Sequence, residues 1–281
     1  MKFISLFAGI GGLDLGLERA GFECVAQVEI NEFALKVLKK HWASVPKYKD
    51  VRDVGKENLP SADLICGGFP CQDVSLIGQR AGLEGKRSTL WSEFYRIVCE
   101  IRPRWVIIEN VTGLFTSDDG RFFTKILWEL SQVGYYAEWD TVPASAFGAP
   151  HRRDRVFIVA YSKSGGLQGG GQSEISPRSS ETWIFPQSPR VYLDSRASRW
   201  SNESRVPRIL NGVPRRMDRI KSTGNAVVPD VAEFIGNCVM KAQARLTPRT
   251  PDEATGCAHR VVRPAGSDSV ICDDCGKTLR R

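Results

Sequence analysis

The stretch Lys2-Phe-Ile-Ser-Leu-Phe-Ala-Gly-Ile-Gly-Gly12 decides the fold of this chain of 281 residues. Its mostly apolar beginning predicts a buried strand over Lys2–Leu6. The glycines that follow let the backbone turn sharply and approach a ligand closely. Helical spacing of apolar residues resumes over 13–20. A strand, a glycine loop and a helix in this order predict the first unit of an open sheet.

The same alternation of strand and helix continues along the chain. Further strands are predicted over 24–29, 62–66, 105–109, 135–142 and 155–161, and further helices over 33–41, 89–101, 122–133 and 229–244. This order predicts the α/β class, with a doubly wound, mostly parallel sheet that carries helices on both faces. Ligands of such sheets bind beyond the carboxyl ends of the strands.

Two acidic positions narrow the range of ligands that the glycine loop could bind. Alone, the loop also fits a dinucleotide site, a phosphate site or a plain strand–helix turn. Glu29, at the end of the second predicted strand, suits bidentate bonding to ribose hydroxyls. Asp50 suits bonding to an adenine amino group, and Asp53 is its rival, since spacing does not choose between them. These residues favour a nucleotide-like cofactor.

The run Leu64-Ile-Cys-Gly-Gly-Phe-Pro-Cys-Gln-Asp-Val-Ser75 places Cys71 just past a short strand. Glu109 likewise ends an apolar strand, and Arg153 and Arg155 follow later in the chain. We expect the two arginines to point to one face of a single strand, since they are two residues apart. Because the glycine loop, Glu29, Cys71 and Glu109 all lie at strand ends, we expect one shared site.

Five segments in this order resemble the DNA (cytosine-5)-methyltransferase family in its compact bacterial and phage form. They are Phe7-Ala-Gly-Ile-Gly-Gly12, Phe69-Pro-Cys-Gln72, Glu109-Asn-Val111, Arg153-Asp-Arg155 and Gly224-Asn-Ala-Val-Val-Pro229. The resemblance covers roughly residues 3–162 and 215–244. It implies a Rossmann-like enzyme that uses S-adenosyl-L-methionine to methylate double-stranded DNA, as in restriction–modification systems.

The resemblance also assigns catalytic roles. Carbon 5 of cytosine is a poor nucleophile, so a thiolate must first add to carbon 6, and Cys71 is expected to supply it. Glu109 would bind ring nitrogen 3 and the exocyclic amine. Arg153 and Arg155 would assist, one of them by orienting the cytosine carbonyl. Since a base inside a duplex is unreachable, the target must be flipped out.

The family's cofactor contacts carry over to a set of matching positions. They are Phe7, Ala8, Gly9, Gly11, Gly12, Glu29, Ile30, Asp50, Val51, Pro70, Leu90, Asn225 and Val227. Two departures from the family pattern stand out. His151 occupies a position that is usually glutamine, and residues 205–219 match the family only weakly.

Basic charge is concentrated in one part of the chain. Residues 152–221 hold 14 Lys or Arg against 6 Asp or Glu, while the whole chain has a net charge of +7. This excess suits a phosphate-contacting surface, and an arginine-rich solvated face is the alternative. By resemblance, the variable region 163–215 selects the DNA sequence. We therefore predict a catalytic domain over 1–162, target recognition over 163–215, a return to the catalytic domain over 216–246 and a tail over 247–281.

The tail carries Cys257, His259, Cys272 and Cys275. A Cys-x2-Cys pair followed by glycine is typical of a zinc knuckle, which predicts a structural zinc site with these four ligands. A flexible tail with incidental cysteines is the alternative.

The remaining cysteines and the bulk composition indicate an ordinary globular protein. Cys24, Cys66, Cys99 and Cys238 sit among apolar residues and are expected to be buried. The sequence shows neither a membrane-spanning apolar run nor a signal-peptide pattern, so we expect a cytoplasmic monomer. Two other functions stay open: a non-catalytic DNA-binding regulator with the same fold, and an enzyme that methylates RNA.

Overall fold

The computed structural model describes residues 1–70, 89–162, 184–185 and 216–246, and the backbone of 262–266, 269–272 and 278–280. The chain divides into two compact units, Met1–Met240 and Lys241–Arg281. No helix in the described ranges is long and apolar enough to cross a bilayer.

The first unit is built on a seven-stranded sheet. Its strands are β1 (Lys2–Leu6), β2 (Glu23–Val28), β3 (Lys47–Tyr48), β4 (Leu64–Gly67), β5 (Trp105–Val111), β6 (Tyr135–Pro143) and β7 (Asp154–Ser162). The helices are α1 (Gly12–Arg19), α2 (Glu32–His41), α3 (Thr89–Ile101), α4 (Arg121–Gln132), α5 (Arg216–Asn225) and α6 (Pro229–Leu246).

The sheet is doubly wound and mostly parallel, as predicted. Its strand order is β3-β2-β1-β4-β5-β7-β6. The neighbouring pairs from β3 to β5 are parallel, whereas β7 runs antiparallel to both β5 and β6. Because the order reverses between β1 and β4, the carboxyl ends of these strands open a crevice for a ligand.

Burial explains why these segments form strands. The central strands β1, β4, β5 and β7 are almost wholly buried, which is why they read as apolar runs rather than as alternating patterns. Trp91, Trp105, Phe3, Phe94 and Phe157 are the largest fully buried side chains. The core therefore occupies both faces of the sheet.

Helix α6, near the end of this unit, packs against α1, near its beginning. It packs on α1 at Gly16 and Ala20, while Gly12 on the same helix face meets Val227 in the segment before α6. A Cβ atom at Gly16 would lie 2.4 Å from both the Ala232 Cβ and the Pro229 oxygen. This close approach brings the segment before α6 to the glycine loop.

Several elements differ from the sequence predictions. Strand β3 was not anticipated, because a two-residue edge strand has no period to detect. Helix α5 extends to Asn225, where we expected a Gly-Asn turn, and its polar sequence lacks an apolar stripe. Cys24, Cys66 and Cys238 are buried as predicted, but Cys99 is only partly buried.

The second unit contains a small antiparallel sheet in the tail. Strands β8 (Val262–Gly266), β9 (Ser269–Cys272) and β10 (Thr278–Arg280) pair in the order β10-β9-β8. Of the four predicted zinc ligands, Cys257, His259 and Cys275 lie outside the described residues, and Cys272 is the last residue of β9. In the part of the chain that is described, no cluster of His, Cys, Asp or Glu could hold a metal ion.

Candidate active site

A cavity of about 1200 Å³ lies at the carboxyl ends of β1, β2, β4 and β5. Twelve of the thirteen predicted cofactor contacts line it: Phe7, Ala8, Gly9, Gly12, Glu29, Ile30, Asp50, Val51, Pro70, Leu90, Asn225 and Val227. Glu109 and Arg155 line the same cavity. These residues therefore lie around one cavity, as expected from their positions at strand ends.

Gly11 is the predicted contact that does not line the cavity. Its φ is +84°, and a Cβ atom there would lie 2.5 Å from the ring of Trp42. The position therefore requires glycine for its left-handed turn and for packing against Trp42. Sequence spacing could not reveal this contact, since Trp42 lies thirty-one positions further along.

Glu29 and the glycine loop hold each other in place. The Gly9 amide donates a hydrogen bond to Glu29 Oε2, and the Asn31 amide donates one to Oε1, each at 2.7 Å. Each carboxylate oxygen still has a lone pair for a further donor. The carboxylate is thus fixed at the cavity wall and can accept bonds from a pair of hydroxyls.

Asp50, rather than Asp53, borders the cavity. Its carboxylate accepts bonds from the backbone and side chain of Arg52. This pairing lowers the pKa of Asp50 to about 2. Of the two aspartates that the sequence left open, only Asp50 is placed to meet a ligand in this cavity.

Glu109 is a buried acid in the middle of the site. Its side chain belongs to β5, is only 8% exposed and accepts a hydrogen bond from Arg155 Nε at 3.0 Å. Burial raises the pKa of Glu109 to about 7, although the charges of Arg155 and Arg153 act in the opposite direction. The carboxyl group can therefore carry or release a proton near neutral pH.

Gly68 makes room for this acid. A Cβ atom at Gly68 would lie 2.5 Å from Glu109 Oε2. The absence of a side chain at Gly68, directly after β4, is thus needed for the placement of Glu109. The neighbouring Asn110 donates through Nδ2 to the Phe69 oxygen at 3.3 Å, which ties β5 to the same loop.

Cys71, the expected nucleophile, lies outside the described residues. Pro70, which precedes it, lines the cavity, and Phe69 is buried against the rings of Trp91 and Phe122. The described chain therefore leads to the cavity at the position before Cys71. Residues 72–88 also lie outside the described residues.

The expectation that Arg153 and Arg155 share one strand and one face is wrong. Strand β7 begins at Asp154, and Arg153 has a left-handed φ of +38°. Its Nη2 donates to the oxygen of Gly224 at 2.8 Å and to that of Ala226, whereas Arg155 pairs with Glu109. The bend before Asp154 gives the two side chains different hydrogen-bond partners, although their charges still act on each other. The sequence pattern gave no sign of this bend.

One group of residues that line the cavity was not predicted from the sequence. Ser117, Asp118 and Asp119 line it, and both aspartates have positive φ. The buried Ser117 hydroxyl has no hydrogen-bond partner among the described residues. The run Ser117-Asp-Asp-Gly120 resembles an ordinary turn, so no sequence signal distinguished it.

Asp14 was also missed, because it reads as a polar position of an amphipathic helix. It is fully buried beneath the glycine loop, where Ser5 Oγ and Gln27 Nε2 donate to it at 2.9 Å and 2.7 Å. Burial raises its pKa to about 6. This network fastens α1 to β1 and β2 below the site.

Most of the predicted recognition region 163–215 lies outside the described residues. Ile184 and Phe185 are described and buried, and the Ile184 amide donates to the Glu138 carboxylate at 2.8 Å. This part of the region is therefore joined to β6.

Comparisons with known proteins identify the family of the chain. Residues 1–201 match the family model described as C-5 cytosine-specific DNA methylase. The Type II methyltransferase M.NgoBV of Neisseria gonorrhoeae is 37% identical over 177 residues, which cover 58% of this chain and 42% of that protein. M.NgoFVII of the same species is 30% identical over 226 residues, with 80% and 60% covered. The chain spans about half the length of the curated relatives it matches.

A solved structure extends the comparison of the fold. The Entamoeba histolytica methyltransferase EhMeth superimposes with a TM-score of 0.58 and 16% identity, over 88% of this chain and 99% of that one. At this identity the likeness establishes a common fold.

The buried acid predicts a pH dependence of stability. The pKa of Glu109 is about 7 in the folded chain and 4.5 as its ordinary value, so the folded chain binds more protons between them. The free energy of unfolding should therefore fall as the pH rises through this window, by up to about 3 kcal/mol for this group. We expect denaturant unfolding of Glu109→Gln to depend less on pH than that of the wild type.

Glu57→Gln, an exposed substitution outside the cavity, is the matched control for this measurement. It should keep the wild-type pH dependence. An unchanged pH dependence in Glu109→Gln would show that the carboxyl does not titrate as described.

Proposed function

Because the chain belongs to the C-5 cytosine-specific DNA methylase family, we propose that it transfers a methyl group from S-adenosyl-L-methionine to carbon 5 of cytosine in double-stranded DNA. One observation carries the proposal: the Glu109–Arg155 pair and the Glu29–glycine loop border a single cavity. Direct transfer between two bound molecules requires their sites to adjoin in this way.

The residues on the strand-β1 side of the cavity fit the cofactor. Glu29 would accept bonds from the ribose hydroxyls, and Asp50 would accept one from the adenine amino group. Ile30 is 66% exposed despite its size, which is consistent with packing against the adenine ring when the cofactor is bound. When bound, S-adenosyl-L-methionine supplies an electrophilic methyl group on its sulfonium.

The residues on the strand-β5 side suit the cytosine ring. Glu109, with its pKa of about 7, would donate its proton to ring nitrogen 3 and accept a bond from the exocyclic amine. Arg155 would fix that carboxyl and orient the cytosine carbonyl. Both contacts stabilise the charge that develops on the ring during attack.

Cys71 would begin the reaction. Its thiolate forms a bond to carbon 6, the ring electrons move toward nitrogen 3, and carbon 5 becomes nucleophilic enough to take the methyl group. Water would take the carbon-5 proton, the thiolate would leave carbon 6, and the proton on nitrogen 3 would return to Glu109, which restores the aromatic ring. The target base must first leave the duplex, which we assign to the loop 72–88 on sequence grounds.

Sequence choice is assigned to residues 163–215, which hold much of the basic excess of the chain. Arginines of this region would hold phosphates or read guanine edges in the major groove. The tail ligands Cys257, His259, Cys272 and Cys275 keep their proposed role as a structural zinc site, supported by the Cys-x2-Cys-Gly spacing. A monomeric state and a cytoplasmic location remain predictions from the sequence.

Two alternatives differ in what they predict for an assay. A non-catalytic DNA-binding regulator would bind DNA without methylating it, and an RNA-directed enzyme would prefer RNA to DNA. The retention of Glu109, Arg155 and Glu29 in one cavity favours catalysis over the first alternative. Gly-Phe-Pro-Cys-Gln at 68–72 favours the DNA enzymes over the second.

We expect the purified chain to transfer labelled methyl groups from S-adenosyl-L-methionine to mixed-sequence double-stranded DNA, and not to RNA. Cys71→Ser should abolish transfer, since a hydroxyl is a far weaker nucleophile than a thiolate. Cys99→Ser, which alters a cysteine outside the cavity, should retain wild-type activity. Activity that survives Cys71→Ser would overturn the mechanism.

A second experiment tests the cofactor side. Glu29→Ala should raise the dissociation constant for S-adenosyl-L-methionine about 10- to 100-fold, because it removes charged hydrogen bonds to the ribose. Isothermal titration calorimetry without DNA measures this directly. Glu32→Ala changes a nearby exposed glutamate that pairs with Lys49, and it should bind as the wild type does. Equal affinities of all three proteins would contradict the assignment of Glu29.

A further inference from the structure

We propose that Arg153 is a positioning residue for the cofactor side of the cavity, rather than a residue that contacts the cytosine. It would hold the connection between α5 and α6 against the glycine loop. This proposal rests on the proposed function, because it assigns the connection to the S-adenosyl-L-methionine site.

The hydrogen bonds of Arg153 go to the connection between α5 and α6, although its charge also acts on Glu109. Its Nη2 donates to the carbonyl oxygens of Gly224 and Ala226, on either side of Asn225. Asn225, Ala226 and Val227 all line the cavity. One guanidinium therefore fixes the backbone that presents part of the cofactor wall.

The connection needs such a fastening because it comes from a distant part of the sequence. Gly224 and Asn225 are exposed, and residues 163–215 separate them from β7. The Val227 oxygen lies so close to α1 that a Cβ atom at Gly12 would be 2.2 Å from it. Arg153 and Gly12 thus contact the connection at different residues.

The backbone of Arg153 is shaped for this contact. Its φ of +38° is unusual for a residue with a side chain, and such strain persists where the surrounding contacts require it. The Ala144 amide donates to the Arg153 oxygen at 3.3 Å, and Phe147 packs on Phe234 of α6 with ring centroids 5.4 Å apart. The segment before β7 is therefore joined to α6 at a second point.

Arg155 already fills the role expected of an arginine beside the base. It lines the cavity and donates to Glu109 Oε1, whereas Arg153 is not among the residues that line it. The hydrogen bonds of the two arginines therefore differ: Arg155 bonds the acid, and Arg153 bonds the backbone of the cofactor wall.

Binding of S-adenosyl-L-methionine without DNA tests this division in the full-length chain. Arg153→Ala should raise the dissociation constant at least about tenfold, and Arg153→Lys should restore part of the affinity, since it keeps a donor and the charge. Arg155→Ala should bind within about twofold of the wild type but lose methyl transfer. Arg152→Ala is the matched control, because Arg152 is 84% exposed and adjacent in the chain, and it should retain both properties.

Hydrogen exchange of the ligand-free chain supplies a readout that does not depend on the reaction. Arg153→Ala and Arg153→Lys should speed exchange of the amides of 225–228 while the amides of β5 keep their wild-type rates. Wild-type cofactor affinity in Arg153→Ala, together with lost methyl transfer, would overturn the proposal in favour of a base contact. Unchanged exchange at 225–228 in both variants would also overturn it. If the wild type itself bound no cofactor, the proposed function would fail, and exchange would still report whether Arg153 holds the connection.

Discussion

Burial of the Glu109 carboxyl is the constraint on which the site depends. An acid that is 8% exposed loses its hydration, and the Arg155 bond at 3.0 Å only partly replaces it. The carboxyl fits there because Gly68 has no side chain, and Asn110 holds the adjoining loop through the Phe69 oxygen. The ends of β4, β5 and β7 are therefore locked into one arrangement around a group whose proton is mobile near neutral pH.

The cofactor side of the cavity depends on close packing between small residues. Gly12 and Gly16 let α6 and the connection before it approach α1 within van der Waals distance. Arg153 ties the same connection to the start of β7. Two parts of the chain on either side of 163–215 thus complete one wall, so the variable region is bounded by residues that are fixed at the site.

The sequence predicted what local patterns encode. Apolar runs predicted the buried strands β1, β4, β5 and β7, and the strand ends predicted Glu29 and Glu109 at one site. The choice of Asp50 over Asp53 was open from spacing, and the role of Arg155 came from the family resemblance. What it missed depends on contacts distant in sequence or on unusual backbone: the left-handed turn of Arg153, the packing of Gly11 on Trp42, and the burial of Asp14. Strand β3 and helix α5 were missed because neither has an apolar period. Cys71 and most of 163–215 lie outside the described residues, so their roles stay predictions.

The most direct test of the central claim is the titration of Glu109 itself. The carboxyl carbon of ¹³C-labelled glutamate reports protonation by NMR, and Glu109→Gln assigns the signal by removing it. We expect a midpoint at about pH 7, since burial raises the pKa of this carboxyl to about 7. A midpoint near the ordinary value of 4.5 would contradict the buried acid and the role given to it in protonating the cytosine ring.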